Sequence, residues 1–256
     1  MPAEGGRISE DALLDGKLVL RQPVRGHRFG HDAVLLAAAT AARPSEHAIE
    51  FGAGVGAAGL ALARRVEGLT VTLVEIDPAL TELARENAAR NALAERVRAV
   101  CLDVEARAAE FSAAGLASGS ADHVLMNPPF NAPQNPPPDH ARRLARTSSD
   151  ETFARWLGAA ACLLRPLGTS TLIWRADGLS DVLTALAAAK FGAVAVLPVY
   201  PKPNAPAIRI LVRGVKGSRA PLTLLPGLHL AGADNRPTKH VEAVLRDGAA
   251  LVMSGS

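Results

Sequence analysis

The chain has 256 residues, 48% hydrophobic and 21% charged, which suits one large α/β domain with a modest extension. Its formal charge of +3 favours an anionic partner, and no apolar run reaches the roughly 18 residues that span a bilayer. The polar opening MPAEGGRISEDALLDGK reads as neither a signal nor a transit peptide, so a cytoplasmic protein without membrane contact is expected. Cys101 and Cys162 lie in apolar context and are read as small core residues. The seven histidines lack ligand spacing, so no metal is assigned.

In chain order, residues 1–45 form an extension expected to cover a ligand pocket. It holds a strand or turn at KLVLRQP and then a helix starting near His31-Asp32, with Asp32 as N-cap candidate. Residues 46–256 form the main domain. Seven apolar, β-rich segments follow at 47–51, 71–76, 97–102, 121–126, 169–174, 192–200 and 207–212, mostly separated by alanine-rich helical stretches. This alternation predicts βαβ units and a mostly parallel sheet covered on both faces. PKPNAP leaves no room for a helix between the last two strands, so they form an antiparallel hairpin at the sheet edge. The expectation is an α/β, Rossmann-like, seven-stranded fold.

The run Ile49-Glu50-Phe51-Gly52-Ala53-Gly54-Val55-Gly56 puts three glycines in a strand-to-helix turn, where a ligand can approach the backbone closely. Glu75 ends the next strand and is placed to accept both hydroxyl hydrogens of a ribose. Asp103 ends the third, where a carboxylate suits an adenine amino group. Open α/β sheets bind ligands at these strand ends. The glycine spacing is Gly-x-Gly-x-Gly, and Glu50 would repel a pyrophosphate but orient an ammonium or sulfonium group. That favours S-adenosylmethionine over a dinucleotide. The bland alternative is a tight turn with acids serving as helix caps.

The fourth strand runs into Asn127-Pro128-Pro129-Phe130. Two prolines end a strand, because neither donates a ladder hydrogen bond. The bland reading is a stop signal. The chemical one is a clamp for a planar amine, in which the Asn127 side-chain oxygen and the Pro128 carbonyl each accept an N–H, Pro129 helps fix the backbone, and Phe130 stacks on the ring.

Together GAGVG, LVEIDP, CLDV and NPPF resemble the class I SAM-dependent methyltransferases, in the branch whose (D/N)PP(Y/F/W) motif marks methylation of exocyclic amines. The segments GHRFGHDAVLLAAA and AIRILVRGVKGSRAPLTLLPGL further resemble bacterial tRNA (adenine-N6) methyltransferases, over residues 15–250. The resemblance implies a tRNA or other RNA partner and catalytic roles for Asn127, Pro128, Pro129 and Phe130. It implies cofactor contacts from Phe29, Asp32, Glu50, Gly52, Gly54, Gly56, Glu75, Ile76, Asp103 and Asn127. Glu50 departs from the commoner Asp, and Phe130 from the commoner Tyr. A protein glutamine N5-methyltransferase keeps the clamp, but such enzymes usually show NPPY and a helical recognition domain. A non-catalytic SAM-binding scaffold is argued against by the intact Asn127, Glu75 and glycines.

Other features are open to two readings. Gln22 and Gly30 belong with Phe29 and Asp32 to the front motif or to local structure alone. Lys202, Arg209, Arg213, Lys216 and Arg219 form a stretch without an acid, and Arg142, Arg143 and Arg146 follow a Pro-rich loop; both suit phosphates or ordinary solvation. Residues 131–147 read as a substrate loop or a surface connection. Trp156 and Trp174 are assigned to the core.

Overall fold

A computed structural model describes residues 7–24, 29–128 and 153–253. The first described element is a hairpin of β1 (Ile8–Leu13) and β2 (Leu18–Pro23), joined through left-handed residues Leu14, Asp15 and Gly16. β1 has no apolar signature because its residues ISEDAL alternate between exposed and half-buried positions. Then come α1 (His31–Ala39), β3 (His47–Phe51), α2 (Ala57–Arg65), β4 (Thr70–Glu75) and α3 (Pro78–Arg90). They are followed by β5 (Val97–Cys101), α4 (Ala108–Ala113), β6 (Ala121–Met126), a helix α5 over 153–163, and β7 (Leu164–Arg175). The chain continues with α6 (Leu179–Ala188), β8 (Phe191–Tyr200), β9 (Arg209–Lys216), and the two-residue strands β10 (Thr223–Leu224) and β11 (Leu228–His229). α7 (Lys239–Glu242) leads into a π-helical turn at Ala243–Asp247.

The seven long strands of the main sheet run in the order β5-β4-β3-β6-β7-β9-β8. β3 to β7 are parallel, and β9 enters antiparallel between β7 and β8. The expected hairpin is present, with β8 on the outside and β10 and β11 added to its free edge. Chain direction across the sheet reverses between β3 and β6. The crevice above that reversal is where an open α/β sheet receives a ligand. The GAGVG turn leaves one of these two strands and Asn127 the other.

Both faces are covered. Helices α1, α2 and α3 pack on one face against Leu73, Leu125, Ile173 and Leu211, while α4, α5 and α6 pack on the other against Ile49, Val124, Leu172 and Val212. Burial on both sides explains why the central strands are apolar throughout and do not alternate. Trp156 and Trp174 lie in the second core, as the sequence predicts. No helix among the described residues is long and apolar enough to cross a membrane.

The cysteines do not behave as core residues. Both are exposed: Cys101 ends β5, the outermost strand on its side, and Cys162 faces outward from α5. Apolar neighbours in sequence did not translate into burial at a strand end or on a helix's outer face.

The hairpin is held to the domain by a side-chain ladder. Asn87 on α3 and Asn91, its C-cap, lie one turn apart, both buried. Asn91 accepts from Val19 N–H at 3.0 Å and donates to its carbonyl at 2.9 Å; Asn87 does the same for Arg21 at 2.8 and 3.0 Å. Two amides thus satisfy the edge of β2 as a neighbouring strand would.

Candidate active site

The β3–α2 turn has Gly52, Gly54 and Gly56 all at positive φ, 61°, 55° and 86°. Gly52 has a second requirement: a Cβ there would lie 2.7 Å from the Trp156 ring, which itself packs edge-on against Phe51. Gly54 is different, because its missing side chain would meet nothing within 4 Å. Its backbone faces open space over the sheet.

That space is a cavity of about 290 Å³ lined by Phe29, Asp32, Glu50, Gly52, Gly54 and Asn127, together with Gly30 and Arg209. Six predicted residues from three separate segments thus surround one volume. Glu75 joins through the turn. Its Oε2 accepts from Gly54 N–H at 2.7 Å and its Oε1 from Asp77 N–H at 2.9 Å, so the carboxylate is fixed in orientation by two backbone donors. Asp77 in turn caps α3, with Pro78 at the first helical position. The LVEIDP segment therefore orients a carboxylate and starts a helix in the same six residues.

Besides Glu75, which reaches the cavity only through Gly54, three predicted cofactor residues do not line it. Gly56 packs against Leu73, where a Cβ would sit 2.7 Å from Cδ1. Ile76 is 61% exposed just beyond β4. Asp103 is exposed beyond β5, its Oδ1 accepting from Glu105 N–H at 2.8 Å. Pro128 is buried, and Pro129 and Phe130 lie outside the described residues.

Asp32 is not the cap of α1. The N-cap is Gly30, without a side-chain cap bond, and Asp32 instead accepts from Arg209 Nε at 2.9 Å. The competing attraction of a guanidinium returning on β9 outweighs a local cap bond. Arg209 is the principal site residue that sequence reasoning did not place here; its only signal was membership of a basic stretch. Gln22 is buried, donating to Asp11 Oδ2 at 2.8 Å and accepting from Phe29 N–H at 3.2 Å, so it fixes the strand ahead of the cavity.

Two polar groups in the cavity are poorly compensated by their surroundings. Asn127 Oδ1 is buried and has no hydrogen-bond partner among the described residues. An unpaired buried carbonyl costs about 1–3 kcal/mol, so this atom is a preformed acceptor. Glu50 is buried, and desolvation pushes its carboxyl up to about 8 despite the 2.7 Å bond from Gly59 N–H, with Glu75 nearby raising it further.

The Glu50 shift makes a stability prediction. A carboxyl whose folded pKa lies above its unfolded value favours folding most at low pH, and that contribution is lost as pH climbs from about 4.5 to about 8. Glu50→Gln keeps an acceptor for Gly59 and cannot ionise. The ligand-free variant should therefore gain melting temperature over the parent between pH 5 and pH 8. A difference that stays flat across this range would show that Glu50 is not held neutral.

Residues 28–154 match the family model for the methyltransferase small domain. A tRNA1(Val) (adenine(37)-N6)-methyltransferase from Porphyromonas gingivalis is 31% identical over 159 residues, covering 60% of this chain and 61% of that protein. A protein of the same description from Bacteroides thetaiotaomicron is 28% identical, covering 72% of this chain and 75% of that one. The chain thus spans about three fifths to three quarters of the length of these relatives. A crystal structure of a predicted O-methyltransferase from Agrobacterium tumefaciens superposes with a TM-score of 0.73 at 30% identity, covering 86% of this chain and 98% of that one. The chain belongs to the SAM-dependent methyltransferases.

S-adenosylmethionine is accordingly the cofactor of this family, and the residues present fit it. Gly54 leaves backbone open to the cavity, and Glu75 offers an oriented carboxylate beside it. Glu75→Ala releases the backbone donors of Gly54 and Asp77 and removes the carboxylate offered to a ribose hydroxyl, a charged hydrogen bond being worth about 1.5–3 kcal/mol. Calorimetric titration with S-adenosylmethionine should show at least about a tenfold loss of affinity. Parental affinity in a folded variant would remove Glu75 from the cofactor site.

Proposed function

We propose that this protein transfers a methyl group from S-adenosylmethionine to an exocyclic amine, the N6 of an adenine in RNA, with tRNA the preferred acceptor. The observation that carries the reading is Asn127 Oδ1, an unpaired buried acceptor beside the Gly loop at the strand reversal. The adenine-N6 description of two relatives supports the choice of acceptor.

The cofactor supplies an electrophilic methyl carbon on a cationic sulfur. The protein's part is to make a poor nucleophile competent. An amine conjugated to a purine ring has little lone-pair density, because its nitrogen is flattened by delocalisation. Asn127 Oδ1 accepts one N–H and the Pro128 carbonyl the other. The nitrogen becomes pyramidal with its lone pair turned toward the cofactor. Both carbonyl dipoles then stabilise the positive charge that develops on nitrogen during transfer. The proline fixes φ, so the direction of the acceptor is set before substrate arrives. Phe130 is assigned the stacking role. The departing proton comes from an acidic ammonium and needs no strong base.

Residues 1–45 serve in this reading as the cover of the cofactor cavity, contributing Phe29 and Asp32. The test is label transfer from methyl-labelled S-adenosylmethionine to separate pools of unmodified tRNA, unmodified rRNA and protein extract. Label recovered as N6-methyladenosine from tRNA supports the proposal. Label in glutamine of the protein pool, or in an O-methyl product, overturns the amine-in-RNA reading.

A further inference from the structure

The free edge of the sheet carries a second cavity, of about 510 Å³, where β10 and β11 pair with β8. Leu197, Leu225, Leu228 and Leu251 line it with apolar surface, and His229 and His240 add two imidazoles. One imidazole is held in place. The Tyr200 ring stacks on His229 with centroids 5.1 Å apart and planes 19° from parallel. A Cβ at Gly227 would overlap that same Tyr200 ring, so the glycine lets the backbone close on it. Leu230 N–H donates to the Tyr200 carbonyl at 2.8 Å and Thr238 Oγ1 to the His229 carbonyl at 3.0 Å.

The sequence that builds this edge is basic: residues 190–240 carry eight Lys and Arg against a single acid, Asp234, although Lys190, Lys216 and Arg219 lie toward the other end of β8 and Arg209 pairs with Asp32. Lys202, Arg236 and Lys239 are exposed on the segments that flank the cavity, Arg236 with the exposed Asp234 carboxylate 4.0 Å away. Tyr200 ends β8 at the same end of the sheet as the active site, and its neighbour Val199 pairs with Arg209, which lines the active-site cavity. From β6 to β11 is four strand spacings, about 20 Å.

We propose that this edge cavity is a second nucleobase subsite, taking an unpaired base of the RNA acceptor beside His229 and His240 while Lys202, Arg236 and Lys239 meet its phosphates. The inference rests on the RNA reading above and adds where the acceptor is held. An apolar wall of leucines with a fixed imidazole suits the π-face of any base, and exposed cations suit the backbone that carries it. An acidic peptide would satisfy the cations and leave the planar site unexplained.

The test is fluorescence anisotropy of the full chain with an unmodified tRNA transcript, comparing the parent with His240→Ala and with the double variant Lys202→Glu/Lys239→Glu. All three substitutions are at exposed positions, so folding is retained. His240→Ala should weaken RNA binding about tenfold, the scale of one lost base-stacking contact. The charge reversal should weaken it further and flatten the dependence on salt. Affinity for S-adenosylmethionine should not change in either. Loss in the charge-reversed protein alone would overturn the base subsite in favour of plain electrostatic attraction. Parental RNA affinity in both variants, with label still entering RNA, would overturn the subsite and leave the proposed function standing. A parent that labels protein and not RNA would overturn both.

Discussion

Asn127→Ala is expected to retain S-adenosylmethionine binding and lose methyl transfer by about a hundredfold to a thousandfold, the scale of removing one preorganised group at a developing charge. The side chain's oxygen has no partner among the described residues, so its removal breaks none of the hydrogen bonds described for that oxygen. Stability should therefore hold or rise slightly. That combination distinguishes a functional acceptor from a structural one, whose loss would lower the melting temperature and the activity together. Asn127→Asp restores an oxygen at the same place and adds charge, and it should recover part of the rate. Single-turnover label transfer at saturating cofactor measures both variants. Parental turnover in the alanine variant would remove the clamp from the mechanism.

The main sheet was legible because its strands are buried on both faces and separated by helices, so each appears as a short apolar run. Covalent order alone placed Glu50, the three glycines and Glu75 at strand ends. Other features depend on groups that meet only after folding. Arg209 lies 177 residues from Asp32, its ion-pair partner, and nothing around Arg209 in sequence announces the encounter. The cap assigned to Asp32 failed for the same reason, since a local preference was overridden by a charge returning on β9. β1 was missed because a two-stranded edge with exposed polar residues has no hydrophobic period to read. A cue to its docking was nevertheless present. Asn is a poor residue for a helix interior, yet RENAARNAL places Asn87 inside α3, one turn before the C-cap Asn91. A residue type that breaks a local rule inside a helix marks a tertiary contact.

Asn87 should be the most stability-sensitive of these polar positions. It is fully buried, and its amide also donates to the Val55 carbonyl at 3.0 Å, joining the hairpin to the Gly loop that lines the cofactor cavity. Asn87→Ala leaves the Arg21 N–H, the Arg21 carbonyl and the Val55 carbonyl without this partner. At about 1–3 kcal/mol per unsatisfied buried group, and with incomplete additivity, the loss is about 3–5 kcal/mol. In a domain of this size that is a fall in melting temperature of roughly 10 °C. Asn91→Ala provides the comparison. It releases Val19 on the same hairpin and does not touch the Gly loop in the contacts described. Both variants should melt earlier, whereas affinity for S-adenosylmethionine should fall further for Asn87→Ala than for Asn91→Ala. Equal losses of affinity would mean that the hairpin acts on the cavity only by docking as a whole. The unequal result would show that one amide sets the position of the cofactor turn directly, because a carbonyl released at Val55 lets the backbone around Gly54 relax out of the geometry that Glu75 holds.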